Sequence, residues 1–586
     1  MYTEESSTVT APARDARFHH GDAADVPRGG PLSAITRCLS GAVYTVPGFA
    51  DRVITELLLD GHRAVSPAVD YDLEPVIRHA FQARRLLLIQ HAVVTGILVL
   101  AFLFLPGPAF GLLMASIALA IVGRMIRGDL PGNWKVWLGG SLVLLVLTFF
   151  TGPLLAVLGQ LGATGSASGG YPAEAVEAGT SPWTPVVIAA LIGAAALVAT
   201  SAVRTLMVRA LGVDLRPGNS DRGATVAASR IEGRIARLSA AQRGNILLHS
   251  GTNPFLGAGV VQNAWSMAME LKPDEENGTR QAVEVDPVAL NRYVKQRLAS
   301  LRSTDLREAE RMSGLTLRDQ IVSAGVGGQG WPLVDTDALV PYSHATPQAM
   351  ESVIRHPQAS VRHFLRATVG ANVTPVESGD GRLLIPGEHH SISVSTFVHL
   401  AVEGGMLYVE TVSTVLGPLL GGFRLIDGYS ADPDQAAGRA FRESCLDLGE
   451  NIALAPYRLA VTLVRMSALH RAMRAAEDGE QGDLTDFGAR FDLRQVASAR
   501  GPATYLQRLD AAKYTKLVER RISEAVICHL RDQGIDTSEY ERRMNVYNNS
   551  GVFIRGDNYG AAAGGAEASA VVHRDDRADR PGKGRN

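Results

Sequence analysis

The sequence predicts an α+β protein: a four-helix transmembrane bundle followed by a cytosolic domain with an antiparallel sheet and long amphipathic helices. Three observations carry this. Between Leu86 and Val203 lie four apolar segments whose only ionisable side chains are His91 and, at the end of the second, Arg124. From Ser391 to Leu416 the apolar positions recur every second residue, the period of a half-buried strand. From Tyr505 to Leu530 they return to the helical period.

Taken in order, residues 1–32 mix small, polar and charged side chains without periodic apolar positions, and read as a disordered N-terminal tail. Residues 33–85 form a helical arm. Phe49, Val53, Ile54, Leu57 and Leu58 fit an amphipathic helix over Val46–Leu59, with Pro47 at its start and Gly61 beyond its end. A second helix, from Asp72 through Val76, Ile77, Ala80 and Phe81, runs into the first apolar segment. The arm is expected to lie on the membrane surface or to pack on the cytosolic body.

The apolar segments, 86–105, 108–126, 136–158 and 184–203, are read as transmembrane helices. A bilayer core about 30 Å thick needs roughly 20 apolar residues of helix. Pro106 and Pro108 separate the first from the second, because proline lacks the amide a continuous helix requires. Arg84, Arg85, Arg124, Arg127, Lys135, Arg204 and Arg209 all lie on one side, while Pro106–Pro108 and Gly159–Trp183 hold no Lys or Arg. The positive-inside rule therefore puts both termini in the cytoplasm of a multi-pass plasma-membrane protein. Apart from Arg124 at the end of the second, the segments carry no carboxylate, Lys or Arg, the groups that pumps and proton relays place at mid-membrane. Gly139-Gly140-Ser141 and Gly193–Ala196 instead favour close helix packing, so an anchor or a signal-transmitting bundle is expected. Gly159–Trp183, rich in Gly, Ala, Ser and Pro, reads as a flexible external loop.

Residues 204–545 form the cytosolic α+β domain. Asn245–His249, Val261–Leu271 and Asp319–Val326 read as strands, and Asp286–Leu301 as a helix with an Asp-Pro start. Ser391–Leu416 reads as a hairpin turning at Glu403-Gly404-Gly405, with one polar face. Asp434–Leu448, Pro456–Ala475 and Tyr505–Leu530 read as helices. Leu506, Leu509, Tyr514, Leu517, Val518, Ile522, Ala525 and Val526 form the apolar stripe of the last, opposite a basic face that is either solvated or turned to acidic lipid headgroups. Residues 546–586 hold a β-prone segment, Tyr547–Asn558, and a disordered tail. The segment could pair with copies of itself, so the chain could be a homo-oligomer or take protein partners.

The chemistry is sparse. A net charge of −2 gives no field for nucleic acid. Cys38, Cys445 and Cys528 are too scattered for a disulfide framework or a metal pair. The first 30 residues are polar, so no cleavable signal peptide is expected and the first apolar segment acts as the signal. Ser250–Gly259 and Gly325–Trp331 are glycine-rich, but neither is followed by the Lys-Ser/Thr of a phosphate loop, so the first reads as a structured loop joining two strands and the second as a flexible loop. Glu388, His389, His390 and His399 have metal-ligand chemistry, yet adjacent strand residues face opposite ways and His389 and His399 are ten residues apart. No catalytic residue is assigned, and neither a cofactor nor a metal is expected.

Two stretches, Asn253-Pro254-Phe255-Leu256-Gly257-Ala258-Gly259 and Arg508-Leu509-Asp510 … Tyr514 … Glu519-Arg520-Arg521 … Gly534-Ile535-Asp536-Thr537-Ser538, resemble uncharacterised multi-pass membrane proteins of actinobacteria. That resemblance implies a membrane address and no activity. The expected function is a membrane-tethered scaffold or sensor whose partners are the lipid bilayer and other proteins. A membrane-anchored enzyme with its site beside Ser391–Leu416 and a small-solute channel built from oligomers of the bundle are the alternatives.

Overall fold

The computed structural model describes residues 17–22, 32–68, 70–104, 106–127, 138–140, 184–212, 222–226, 229–274, 284–307, 311–328, 331–370, 376–378, 380, 382–385, 392–429, 433–475 and 484–550. The arm opens with α1 (Ala34–Thr45), capped by the Ser33 hydroxyl. Gly48, at φ 74°, turns the chain into α2 (Phe49–Ile54), which continues as a π turn over Thr55–Leu59. Next comes α3 (Leu73–Phe104), one unbroken helix that includes the expected second arm helix and the first apolar segment. α4 (Pro106–Arg127) starts at the predicted proline break, and α5 (Thr184–Leu211) follows.

Three helices among the described residues are long and apolar enough to cross a membrane, within α3, α4 and α5. This is one fewer than the four expected. Of the segment 136–158, Leu138–Gly140 are helical and the remainder lies outside the described residues. Phe104 at the end of α3 and Val198 on α5 are 77% and 68% exposed, so the bundle presents apolar side chains outward.

The arm packs on the rest of the chain. Cys38, Leu39 and Val43 of α1 and Val53 of α2 are fully buried. They share one core with Val76 and Ile77 of α3, Met207 and Leu211 of α5, Ile235 of α6 (Ser229–Ala241), and Ile426, Phe491 and Leu493 from late in the chain.

The body is built on a six-stranded sheet. Its strands are β1 (Ile246–His249), β2 (Val260–Glu270), β3 (Leu315–Ala324), β4 (Arg362–Gly370), β5 (Ser393–Glu403) and β6 (Met406–Leu416). They lie in the order β1-β3-β4-β5-β6-β2. The predicted hairpin pairs Ser393 with Leu416 through to Glu403 with Met406. Its two-residue turn, Gly404-Gly405, has φ of 57° and 73°, both positive as a type I′ turn requires. All pairs are antiparallel except β1 with β3. The chain between these two passes through β2 at the far edge and through α7 (Pro287–Ala299), long enough to return in the same direction.

On one face, Leu365, Val398, Leu400, Leu407 and Val409 pack against Leu290 and Val294 of α7 and Val518, Ile522 and Val526 of α11 (Tyr505–Asp532). α8 (Pro347–Arg355), capped by Thr346, packs Met350 and Ile354 near the β1–β3 edge. α9 (Pro433–Ala453) and α10 (Ala455–Ala475) lead back to the apolar bundle. α12 (Ser538–Ser550) closes the described chain.

Two expectations on this face need correction. Leu506, Leu509 and Leu517 of the α11 stripe are 69%, 53% and 46% exposed, while Ala511, Val518, Ile522 and Val526 are buried. Tyr547–Ser550 belong to α12 and not to a strand: Asp536 accepts from the Ser538 amide at the start of that helix, and buried Tyr540 and Met544 hold it down. Residues 551–558 lie outside the described residues.

Candidate ligand site at the root of the apolar helices

The sequence puts its basic residues just beyond the apolar segments, and the structure gathers them. Arg84 leaves α3 one turn before Leu87, Arg124 lies near the end of α4, and Arg204 follows Val203 on α5. On α10, Arg458 and Arg465 are seven residues apart, two helical turns, and so share a face. These five guanidinium groups line one cavity of about 680 Å³. Three carboxylates line it with them: Asp51 of α2, and Asp447 and Glu450 of α9.

The ion pairs cross between elements that lie far apart in the chain. Asp51 lies 3.5 Å from Arg84 Nε and 3.1 Å from Arg465 Nη1. Glu450 meets Arg124 Nε at 3.1 Å and also pairs with Arg458. Arg204 pairs with Asp447. A neutral set continues the wall toward the bundle: Gln90 Nε2 and Asn451 Nδ2 both donate to Thr200 Oγ1, at 3.0 and 3.2 Å, and Arg458 Nη1 donates to Asn451 Oδ1 at 3.0 Å. Arg84 and Arg204 are each only 8% exposed. Arg84 Nε and Nη2, Arg204 Nη1, Gln90 Oε1 and His91 Nδ1 are buried with no hydrogen-bond partner among the described residues. Buried guanidinium nitrogens that lack an acceptor carry a desolvation penalty that a bound anion would relieve.

A second polar cluster ties the arm to the other face of the sheet. Asp70, at φ 61°, accepts from Ser393 Oγ and from Arg494 Nη1, each at 3.1 Å. Tyr71 donates to Asp492 at 3.2 Å. Arg366 donates to Thr368 at 3.1 Å and Ser395 at 3.2 Å and stacks on Phe397, its guanidinium 5.1 Å from the ring centre. Burial pushes the Asp492 carboxyl and the Tyr71 phenol up and pulls Arg366 down to about 10. The predicted polar face of the hairpin is therefore buried and not solvated: Ser393, Ser395 and Thr414 lie under this cluster.

The glycine-rich run Ser250–Gly259 does join two strands, as expected, but they are opposite edges of the sheet, so it crosses the whole face. Phe255 packs on Phe397 with ring centres 4.7 Å apart. Gly257, at φ 80°, donates its amide to Gln495 beside Asp492, and Gly259, at φ 90°, lies against the β6 backbone where a side chain has no room. The other glycine run is a correction: Val326–Gly328 is not a flexible loop but pairs with Leu484–Asp486. Of the metal candidates, Glu388, His389 and His390 lie outside the described residues. His399 Nδ1 donates to the His363 carbonyl, 2.8 Å away, and burial lowers its basicity. Among the described residues no cluster of three metal-type ligands occurs.

One further pair was not picked out from the sequence. His363 Nε2 lies 3.1 Å from Asp319, which also pairs with Lys295. Burial opposes the Asp319 charge, but hydrogen bonds from His363 and Lys295 outweigh it and hold the carboxyl down at about 2.

With this geometry in view, a family model describes the body. The model of the AbeC-like domain matches residues 264–562, slightly more than half of the chain. The chain belongs to the AbeC-like domain family. The AbeC-like region takes in most of β2, strands β3–β6, α7–α12 and therefore the α9–α10 wall of the cavity, whereas the arm and the three apolar helices lie outside it. No curated protein and no solved structure matches the chain. The family match names no organism, and so neither supports nor opposes the actinobacterial resemblance.

Proposed function

We propose that this protein is a membrane-tethered sensor: its apolar helices span the plasma membrane, both termini and the AbeC-like region are cytosolic, and the arm passes a signal between them. The observation that carries this reading is the double attachment of the arm. Asp51 meets Arg84 at the root of α3 and Arg465 of α10, while Asp70 on the same arm holds Ser393 of β5 and Arg494. A change in the helix roots thus has a short, packed route to the central hairpin. The outward apolar side chains of α3 and α5 are what contact with lipid tails requires. The basic residues at the helix roots supply the orientation.

The test is hydrogen exchange on the full chain in lipid nanodiscs, wild type against Asp51→Asn. Removing that charge is expected to speed amide exchange at the helix roots and also in residues 64–72 and Ser393–Phe397. Faster exchange confined to the cavity walls, with the hairpin unchanged, would sink the sensor reading.

A further inference from the structure

The cavity at the helix roots holds more positive than negative charge: each of its arginines pairs with a carboxylate, but Asp51 and Glu450 each serve two. Five arginines face three acidic side chains, and Arg84 Nη2 and Arg204 Nη1 are buried with no hydrogen-bond partner among the described residues. Guanidinium presents a planar fork of donors that matches the oxygens of a phosphate group. A phosphate monoester or diester carries one to two negative charges, the size of the surplus. Its apolar walls, Leu87, Val203 and Val461, adjoin the polar groups. They continue into α3 and α5, two of the helices apolar enough to cross a bilayer.

We infer that this cavity binds a phosphate group, carried by a phospholipid headgroup or by a free phosphate. The inference rests on the membrane-tethered reading for the lipid source, but the charge balance of the cavity stands without it. Arg84, Arg204 and Arg458 grip the phosphate oxygens, and the Gln90–Thr200–Asn451 chain holds the uncharged part of the headgroup. Binding relieves the surplus guanidinium charge and draws α3, α5 and α10 together around one ion.

The experiment uses the full chain in maltoside micelles, free of phosphate, at constant ionic strength set with chloride. Two probes are titrated, sodium phosphate and the soluble lipid dihexanoyl-phosphatidylglycerol, and the unfolding temperature and calorimetric heat are read. At least one probe is expected to raise the unfolding temperature with saturable heat. Arg84→Gln and Arg458→Gln are each expected to weaken that binding at least tenfold, and Arg520→Gln on the far side of α11 to leave it unchanged. Arg458→Lys, which keeps the charge and the fold but loses the fork, is expected to fall between. A response to phosphate ion identifies a free ligand, and a response to the lipid alone identifies a headgroup. No saturable response to either probe, or equal responses in wild type and both glutamine variants, overturns the inference. Should the probes fail while Asp51→Asn still loosens the hairpin, the phosphate idea falls and the sensor reading stands. Should phosphate bind while the hairpin ignores Asp51, the reverse holds.

Discussion

Under α7 and α11, the sheet buries Leu400, Leu407 and Val409 against Leu290, Val294 and Ile522. At the root of the apolar helices an equally central position is taken by about 680 Å³ of space ringed by eight charged side chains. The two regions are held by different physics. Close apolar packing is lost all at once when a side chain is removed, and salt hardly touches it. In a partly buried ion network the attraction and the desolvation penalty nearly cancel, so its arrangements lie close in energy. Such a network shifts at small cost, which is what a ligand-responsive element requires. On the sensor reading proposed above, the packed half sets the shape and the charged half responds.

The sharpest way to break that contrast is to truncate the apolar half. Leu407 is fully buried beneath α11. Leu407→Ala is expected to remove about 2–5 kcal/mol, the transfer of its methyl groups plus the cavity left behind. Chemical unfolding of the full chain in micelles, at low and at high salt, measures it. Equal loss at both salt concentrations supports the comparison, and a loss that vanishes in high salt would show that charge, not packing, holds this half together.

The arm lies between the two regions, and Cys38 reports which one it resembles. Its thiol is fully buried and donates to Asp427 at 3.3 Å. Burial first, and then the Asp427 charge and hydrogen bond, push it up to about 12. At pH 8 its thiolate is about a thousandfold scarcer than that of an ordinary cysteine. Maleimide is therefore expected to label Cys445 and Cys528, which are half-buried, and to spare Cys38 until the chain unfolds. Prompt labelling of Cys38 would mean that the arm opens readily and belongs with the responsive half.

How much of this was legible in the sequence differs between the same two halves. The hairpin was readable because Val394, Val398 and Val402 alternate locally and Gly404-Gly405 marks the turn, so the signal and the structure span the same 24 residues. Asp286-Pro287 announced α7 in the same way, by a cap and a proline at the first helical position. The cavity was not readable. Asp51 and Arg465 are 414 residues apart, and Arg204 and Asp447 are 243 apart, so nothing local joins them. The basic residues at the helix roots were noticed, but as markers of orientation, since the positive-inside rule accounts for them without any site. The missed clue was on α10, where Arg458 and Arg465 on one helical face argue against a membrane span and also point to acidic partners, Glu450 and Asp51. The exposure of Leu506, Leu509 and Leu517 could not be read either, because an apolar stripe does not reveal which of its positions meet a neighbouring element.

Asp319 is the charged exception within the apolar half, and it sharpens the comparison on the smallest scale. It lies on β3 between Lys295 of α7 and the imidazole of His363, whose ring is almost fully buried. The carboxyl is held at about 2 in the folded chain, below the roughly 3.9 of an unfolded one. A lowered folded-state value means that the folded state favours the charged form. The stabilisation is therefore present above about pH 4 and is lost as pH falls through about 2, below which both states are protonated. The difference corresponds to about 2 kcal/mol. Asp319→Asn is expected to lower stability by about that amount at pH 7 and to flatten the fall in stability between pH 4 and 2. If the variant loses stability but keeps the full acid dependence, the acid-sensitive groups lie elsewhere. The ion pairs around Asp51 and Glu450 would then be the first place to look, and the charged half would prove to be the part that acid opens.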